Sequence, residues 1–152
     1  MIMPEIIRRE IKHHGIVTFA RFMELALYYP DFGYYETKKS PGRSGDFYTS
    51  VSAGELFGQL LAFQFAEWLE SAAKNQKSEI GILETGAHDG RLAKDILDWL
   101  QLNRPQLFSN LEYIILEPSP RRRDWQKKNL KDIDGHIRWV SEFNDSTIQR
   151  FN

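Results

Sequence analysis

Apolar residues in the second half of the chain form short runs that alternate with helical patterns. Residues 80–84, 112–117 and 136–140 are short, mostly apolar segments bounded by polar residues or glycine, which predicts strands. Between them, residues 90–102 and 119–130 place apolar side chains at helical spacing, and Ser-Pro opens the second of these segments. Strands that alternate with helices favour parallel pairing with right-handed crossovers.

The first half of the chain shows helical periodicity instead. Residues 4–14 predict a helix that stops at Gly15, Thr18 is a candidate N-cap for a second helix, and residues 54–70 predict a third. A polar connector is expected over residues 71–78. The residues expected on the buried sides of the second and third helices are Phe19, Phe22, Met23, Ala26, Leu27, Leu56, Phe57, Leu60, Leu61, Phe65, Trp68 and Leu69.

These patterns predict an α/β protein with two sections. An N-terminal helical and loop section, residues 1–78, leads into a partial doubly wound sheet of about three parallel strands, residues 79–152. The chain has 152 residues, of which 41% are hydrophobic and 13% aromatic, so it can form a hydrophobic core and does not have a disordered composition.

The junction between the first strand and the next helix is the strongest candidate for a ligand site. Glu84 lies at the end of the strand, and Gly86 and Gly90 flank the turn Ala87–Asp89 before the helix begins. Such a turn lets backbone N–H groups face a ligand, and glycine allows close approach. The glycine spacing differs from the dinucleotide fingerprint G-x-G-x-x-G. A carboxylate buried beside a sheet is costly without a partner, and a ligand is one candidate partner.

Glu117 ends the second strand in a similar way. Two neighbouring strands that each end in an acid suit a ligand with ribose hydroxyls and a cationic end, and S-adenosylmethionine is the first such ligand to test. Glu117 is placed to accept hydrogen bonds from the ribose hydroxyls. The alternative is an ion pair with Arg121, Arg122 or another nearby base.

A glycine-rich stretch over residues 34–52 is predicted to be irregular and contains a further candidate. It includes the segment Gly-Asp-Phe-Tyr-Thr-Ser, residues 45–50. Asp46 and Thr49 could close over a bound ligand, with Asp46 facing a cationic group. The alternative is a loop without a ligand role.

Composition argues against several other classes of partner. The chain has 20 Lys and Arg against 21 Asp and Glu, so the basic run Arg121–Lys128 does not belong to a broad basic field and no nucleic-acid partner is predicted. On a helix, this run is expected to spread over the exposed face while Trp125 packs inward. No apolar run approaches the roughly 18 residues of a membrane helix, so no membrane partner is predicted. Because no export signal or transit peptide is visible, a cytoplasmic location is predicted, with a mitochondrial location as the alternative if the protein is eukaryotic.

Several kinds of catalytic and metal site are also not predicted. The chain has no cysteine, which excludes disulfides, zinc–thiolate sites and cysteine nucleophiles. The four histidines lack the spacing of a metal-ligand pair, so no metal is predicted. There is no G-x-S-x-G nucleophile motif.

A set of motifs in a fixed order runs from about residue 5 to the end of the chain. Its residues are Phe22, Met23, Ala26, Leu27, Tyr28, Gly33, Tyr34, Tyr35, Gly42, Gly45, Asp46, Phe47, Thr49, Ser50, Phe57, Gly58, Trp68, Glu84, Gly86, Gly90, Asp95, Ile96, Leu97, Glu117, Ser119 and Gln126. In this order the motifs resemble those of the MidA-type class I methyltransferases, whose mitochondrial relatives are arginine methyltransferases that act in complex I assembly.

The resemblance implies a Rossmann-like methyltransferase sheet, S-adenosyl-L-methionine as the cofactor, and N-methylation of an arginine in a protein substrate. The residues it implicates in cofactor binding are Gly45, Asp46, Thr49, Glu84, Gly86, Ala87, Gly90, Glu117 and Ser119. It assigns no catalytic base. The loop of the family reads Glu-x-Gly-Pro-Gly-x-Gly, whereas Ala87 and His88 replace Pro-Gly here, and the imidazole is expected to crowd the cofactor.

Members of this family are much longer, so the chain is expected to be the N-terminal part of an enzyme that ends before strand four. Strand four lies beside strand one in this fold, and without it strand one has an open edge through which chains could associate. The alternative function is a non-catalytic assembly or scaffold module that kept the fold and lost the cofactor. A nicotinamide-dependent oxidoreductase is disfavoured by the glycine spacing.

Overall fold

The chain forms two compact units. The computed structural model describes residues 2–37, 48–75 and 81–144, and its contacts divide the chain into Met1–Tyr48 and Thr49–Asn152. The section boundary predicted between residues 78 and 79 lies outside the described residues.

The helices and strands follow one another in the order expected of an α/β chain. The helices are α1 (Met3–His14), α2 (Phe19–Tyr28), α3 (Ser50–Ala53), α4 (Leu56–Asn75), α5 (Arg91–Asn103), α6 (Pro105–Asn110) and α7 (Pro120–Asn129). The strands are β1 (Gly81–Thr85), β2 (Glu112–Leu116) and β3 (Ile137–Val140), the last preceded by a 3-10 turn at Asp134–His136.

The first unit contains two helices whose ends follow the sequence signals. The α1 helix ends at Gly15, whose φ of 75° lies in the left-handed region that glycine adopts easily. Thr18 caps α2, because its side-chain oxygen accepts a hydrogen bond from the amide of Arg21 at 3.2 Å. The guanidinium of Arg21 in turn donates to Glu10 at 2.7 Å, which links α2 to α1.

The buried side predicted for α2 is wrong in part. Leu25 is the buried residue of this helix, at 4% exposure, whereas Phe19 and Phe22 are exposed. The two phenylalanine rings stack on each other with centroids 6.4 Å apart, so part of their apolar surface is covered by their mutual contact.

The second unit is built on a three-stranded parallel sheet in the order β1-β2-β3. Glu84 is level with Ile115 across the first pair, and Ile115 is level with Trp139 across the second. Because successive side chains alternate between the two faces, Ile82, Tyr113 and Ile115 share one face with Glu84. This face packs against the helical core, which includes Ala93, Ile96, Leu97 and Leu100 of α5. The strands confirm the predicted α/β class.

β1 lies at the edge of this sheet, as the sequence predicted. The side chain of Leu83, on the face opposite to Glu84, is 39% exposed. The outer edge of β1 and this face therefore leave apolar surface accessible within the described part of the chain.

The apolar side predicted for α4 is wrong in part, since Leu61, Phe65 and Leu69 pack against the core as expected and the other predicted residues are exposed. Its buried residues are Ala62 and Ala66, whereas Leu56, Leu60 and Trp68 are each at least 60% exposed. The small residues face α5 and allow the two helices to pack closely. At Gly58 of the same helix, an added Cβ would lie 2.4 Å from the Cβ of Asp95, which is closer than atoms can approach. Side-chain size as well as hydrophobicity therefore decides which residues of α4 are buried.

Three other local predictions differ from the structure. The α4 helix continues to Asn75, into the expected connector, because Ala72 and Ala73 favour a helix. The short helix α6 was not predicted from the sequence. On α7, the fully or nearly buried side chains are Arg122 and Gln126, whereas Trp125 is only partly buried, which corrects the expected inward packing of the tryptophan.

Candidate functional site

Two acids lie at the carboxyl edge of β1 and β2. Glu84 is the fourth of the five residues of β1, and Glu117 follows β2 directly. The backbone amide of Glu117 donates to the carbonyl of Val140 at 2.9 Å, which ties this position to β3. Parallel strands end at the same edge of a sheet, so both acids belong to the edge where α/β proteins bind ligands.

Glu84 is a desolvated carboxyl group. The hydroxyl of Tyr113, itself 1% exposed, donates to its Oε2 at 2.8 Å. Burial raises the pKa of Glu84 to about 7; the hydrogen bond from Tyr113 lowers it in part, and the nearby charge of Asp89 raises it further. Within the described residues, no basic side chain forms an ion pair with Glu84. The ionised form therefore lacks a compensating positive charge in this part of the chain.

Replacing Glu84 with glutamine is expected to stabilise the fold at pH 8 and to leave its stability unchanged at pH 4. The carboxyl pKa is 4.5 in an unfolded reference and about 7 in the fold. The folded state therefore loses stability as the pH rises from 4.5 through about 7. We expect this loss to reach about 1–2 kcal/mol at pH 8, allowing for partial solvent screening. Glutamine keeps an acceptor for the Tyr113 hydroxyl, and urea unfolding at the two pH values measures the difference.

The matched control for this prediction is Glu112→Gln. Glu112 lies on β2 but accepts a hydrogen bond from Arg138 at 2.7 Å, so removing its charge should not stabilise the chain at pH 8. If Glu84→Gln and the wild type lost the same stability between pH 4 and pH 8, the buried-carboxyl explanation would be wrong.

The loop that joins β1 to α5 is held in an uncommon backbone conformation. Gly86 and Gly90 have φ values of 70° and 83°, and His88 has a φ of 49°, all in the left-handed region. A Cβ at Gly90 would lie 2.7 Å from Cδ1 of the buried Leu130, whereas a Cβ at Gly86 would meet no atom of the described residues within 4 Å. Gly90 therefore packs against the protein, and Gly86 faces open space.

Ala87 and His88, which replace the Pro-Gly of the family motif, both pack against other residues of the protein. Ala87 is 5% exposed and belongs to the hydrophobic core. The imidazole of His88 packs edge-on against Trp125 of α7, with ring centroids 5.1 Å apart, and its Nδ1 lies 3.8 Å from Oδ1 of Asp89. The ring is thus directed to α7 in this structure, while the expected crowding of a cofactor stays a prediction.

Glu117 is almost fully buried, at 3% exposure, and its carboxylate has protein partners. The amide of Ser119 donates to Oε1 at 3.1 Å, and the side-chain amide of Gln126 donates to Oε2 at 3.2 Å. Nε of Arg122 lies 3.8 Å from the same Oε2. A carboxylate offers about four acceptor positions, so these two hydrogen bonds leave room for ribose hydroxyls. The ion pair with Arg122 is the alternative that the sequence left open, and both roles fit this geometry.

Two other predicted site residues act as helix caps. The side-chain oxygen of Ser119 accepts from the amide of Arg122 at 3.4 Å and caps α7, and that of Thr49 accepts from the amide of Ser52 at 3.2 Å and caps α3. The other predicted members of the loop, Gly45 and Asp46, lie outside the described residues.

The structure adds two residues that contact the predicted acids, Tyr113 at Glu84 and Gln126 at Glu117. Alternation along β2 could have identified Tyr113, because it shares a face with Ile115. Within the described ranges, no three His, Asp or Glu side chains group closely enough to hold a metal ion. No helix in those ranges is both long and apolar enough to cross a membrane.

A parallel sheet with acids at the ends of adjacent strands, and a glycine turn that opens a helix, defines an α/β protein of the class that binds nucleotide-like ligands. Comparison with known families refines this class. The chain belongs to the family described as "Putative S-adenosyl-L-methionine-dependent methyltransferase", whose family model matches residues 60–151. The resemblance identified from the motifs and the cofactor it implied for the family are thereby confirmed.

Individual relatives agree with this family. The chain is 38% identical over 89 residues to the mitochondrial protein arginine methyltransferase NDUFAF7 of Bos taurus, a match that covers 58% of the chain and 20% of the relative. The corresponding protein of Xenopus laevis is 31% identical over 131 residues, which are 80% of the chain and 28% of the relative. The chain thus matches only 20–28% of the length of these relatives.

A solved structure supports the fold. A crystal structure of a superfamily member from Burkholderia thailandensis, bound to S-adenosyl-homocysteine, superposes with a TM-score of 0.67 at 27% sequence identity. The match covers 94% of the chain and 38% of that protein. It confirms the partial Rossmann-like methyltransferase fold.

Proposed function

We propose that the chain binds S-adenosylmethionine at the carboxyl edge of β1 and β2, as part of an enzyme that methylates an arginine in a protein substrate. The family supports the cofactor, and the neighbour bound to S-adenosyl-homocysteine supports this type of ligand on this fold. The relatives named protein arginine methyltransferase support the substrate class. The relatives are named as mitochondrial, and a cytoplasmic location for this chain stays a prediction.

The observation that carries the proposal is the partly buried carboxyl of Glu84, which accepts a hydrogen bond from Tyr113 and has no basic partner among the described residues. Its raised pKa shows that the fold disfavours its negative charge, and no basic residue in the described ranges compensates for that charge. A ligand that brings a positive charge would supply the missing partner. The ammonium group in the methionine part of the cofactor has this chemistry, so we assign Glu84 to that end.

The other end of the ligand fits Glu117. Its carboxylate is fixed by Ser119 and Gln126 through two hydrogen bonds, which leaves acceptor positions for a pair of ribose hydroxyls. Between the two acids, the open space at Gly86 allows a ligand to approach the backbone of the loop. Gly90 and Ala87 then act indirectly, because they pack the loop onto the core.

This arrangement supports catalysis by positioning the cofactor relative to the substrate. When bound, the cofactor supplies a methyl group on a cationic sulfur atom, which an arginine nitrogen can attack. The part played by Glu84, Glu117 and the loop is to bind and orient the cofactor so that the methyl group faces the substrate. No described residue is assigned as the base that accepts the arginine proton.

The test compares two ligands on wild type and Glu84→Gln at pH 8. S-adenosyl-homocysteine carries the amino-acid ammonium, and 5′-methylthioadenosine lacks it. We expect Glu84→Gln to reduce the affinity for S-adenosyl-homocysteine by roughly 10- to 100-fold, which corresponds to the loss of one hydrogen bond between charged groups. The affinity for methylthioadenosine should change by less than about 3-fold. Titration calorimetry measures both affinities.

Two results would contradict the proposal. If Glu84→Gln reduced the affinity for both ligands equally, Glu84 would not contact the ammonium group. A folded wild-type chain that binds neither ligand would instead support the alternative function, a non-catalytic assembly module, for which the replacement of Pro-Gly by Ala87 and His88 is the sequence observation.

A further inference from the structure

A single buried amide on α7 contacts three separate segments of the second unit. The side chain of Gln126 is 0% exposed. Its Nε2 donates to the carbonyl of His88 in the loop after β1, at 3.0 Å, and to Oε2 of Glu117 after β2, at 3.2 Å. Its Oε1 accepts from the indole Nε1 of Trp139 on β3, at 3.0 Å.

The contact with Trp139 fixes the orientation of this amide. An indole N–H is only a donor, so the oxygen of Gln126 must face Trp139 and the NH₂ group must face His88 and Glu117. Both protons of the NH₂ group are then used, one for each acceptor. A rotation of the amide by 180° would break all three hydrogen bonds.

The same helix holds the loop at further points. Nδ2 of Asn129, one turn after Gln126, donates to the carbonyl of Asp89 at 3.0 Å, and the ring of Trp125 packs against His88. The left-handed backbone of His88 costs about 1 kcal/mol or more for a residue with a side chain, so it needs such support. Only Gln126 among these residues contacts both the loop and Glu117.

We propose that Gln126 is a positioning residue that couples the two ends of the ligand site, by fixing Glu117 and the loop after β1 in one relative arrangement. This proposal rests on the proposed function, because it assumes that one ligand spans Glu117 and the loop. Gln126 does not touch the ligand in this account. It acts by keeping the carboxylate of Glu117 oriented while the loop stays at the distance that a single ligand requires.

The test uses Gln126→Glu, with Asn103→Ala as the control, because Asn103 lies at the end of α5 opposite to the loop. Glutamate keeps an acceptor for Trp139 but places a second carboxylate beside Glu117 in place of the NH₂ donor. At pH 8 we expect S-adenosyl-homocysteine to bind Gln126→Glu roughly 10- to 100-fold more weakly than wild type. Asn103→Ala removes a comparable hydrogen bond, from Nδ2 to the carbonyl of Trp99 at 2.9 Å, that does not involve the loop or Glu117, and should change the affinity by less than about 3-fold.

A pH comparison separates positioning from a general loss of structure. At pH 5.5, a proton shared by the two carboxyls restores a donor between residues 126 and 117, so the ratio of the variant's Kd to that of the wild type should shrink by at least about 5-fold. The other charged groups near the pair are Arg122, His88, Asp89 and Glu84. They are common to both proteins, so the ratio removes their own titration.

The results test the role of Gln126 separately from the proposed function. If wild type fails to bind, the proposed function is wrong. If wild type binds, and Gln126→Glu binds equally well at pH 8 or shows the same loss at both pH values, only the role of Gln126 is wrong. Should Gln126→Glu not fold, Trp139→Phe decides, because it frees the amide to rotate: a loss of at least about 3-fold supports the proposal, and an unchanged affinity overturns it.

Discussion

Replacing Gly86 with arginine is expected to abolish the binding of S-adenosyl-homocysteine. A Cβ at this position points into open space beside the loop, so a long side chain would occupy the approach that we propose for the ligand. Excluding the ligand from this space should cost more than the roughly 3 kcal/mol that corresponds to a 100-fold loss of affinity. Titration calorimetry on the folded variant measures the loss.

The control for this prediction is Gly15→Arg. Gly15 has a φ of 75°, close to the 70° of Gly86, and a Cβ there also meets no atom within 4 Å. Both variants therefore place arginine at a positive φ with no described atom close to its Cβ, but Gly15 follows α1 in the other unit. Gly15→Arg should bind as wild type does. Tight binding by Gly86→Arg would place the ligand elsewhere.

Replacing Glu117 with alanine is expected to reduce the affinity for S-adenosyl-homocysteine by about 1000-fold. The proposal gives Glu117 two hydrogen bonds to ribose hydroxyls, and hydrogen bonds to a charged group contribute about 1.5–3 kcal/mol each. Alanine also leaves the buried NH₂ group of Gln126 without one of its two acceptors, so the thermal midpoint should fall as well. Binding at a temperature where the variant is folded separates the two effects.

Glu112→Ala is the matched control for Glu117. Glu112 lies at the opposite end of β2, and its carboxylate pairs with Arg138 at 2.7 Å. Removing this partly exposed pair should cost at most about 1 kcal/mol of stability and should leave the ligand affinity unchanged. If Glu117→Ala kept full affinity and lost only stability, Glu117 would be a structural acid paired with Arg122.

The strands could be predicted within one or two residues because their signal is local. Runs such as Ile114–Leu116 are apolar and rich in isoleucine, which is β-branched, and they end at an acid or a turn residue that breaks the pattern. The caps Thr18 and Ser119 were predicted for the same reason, since the groups they contact are three residues away. Local chemistry therefore determined most of the element boundaries.

The buried sides of α2 and α4 could not be predicted in the same way. Hydrophobicity ranks Leu60 and Trp68 above Ala62 and Ala66, yet the alanines are buried because α5 packs closely against the small residues. That preference depends on the distance between two helices, which no pattern within α4 contains. The short helix α6 could not be predicted either, because six residues are too few to show a helical periodicity.

For the candidate site, the sequence predicted the acids but not what holds them. Glu84 and Glu117 were identified because each follows an apolar run. Tyr113 is 29 residues from Glu84, and Gln126, which is 9 residues from Glu117, also contacts the loop carbonyl of His88, 38 residues away. These contacts exist only after the strands pair and α7 folds back on the sheet.

The protonated carboxyl of Glu84 has a thermodynamic consequence for uptake of the cofactor. Near neutral pH this group is partly in its acid form, with a pKa of about 7. If the ammonium group of the cofactor binds beside Glu84, as we propose, it favours the ionised carboxylate and releases that proton into solution. Ligand binding is then coupled to the release of a proton. The enthalpy of binding measured at neutral pH therefore includes the ionisation enthalpy of the buffer that accepts this proton.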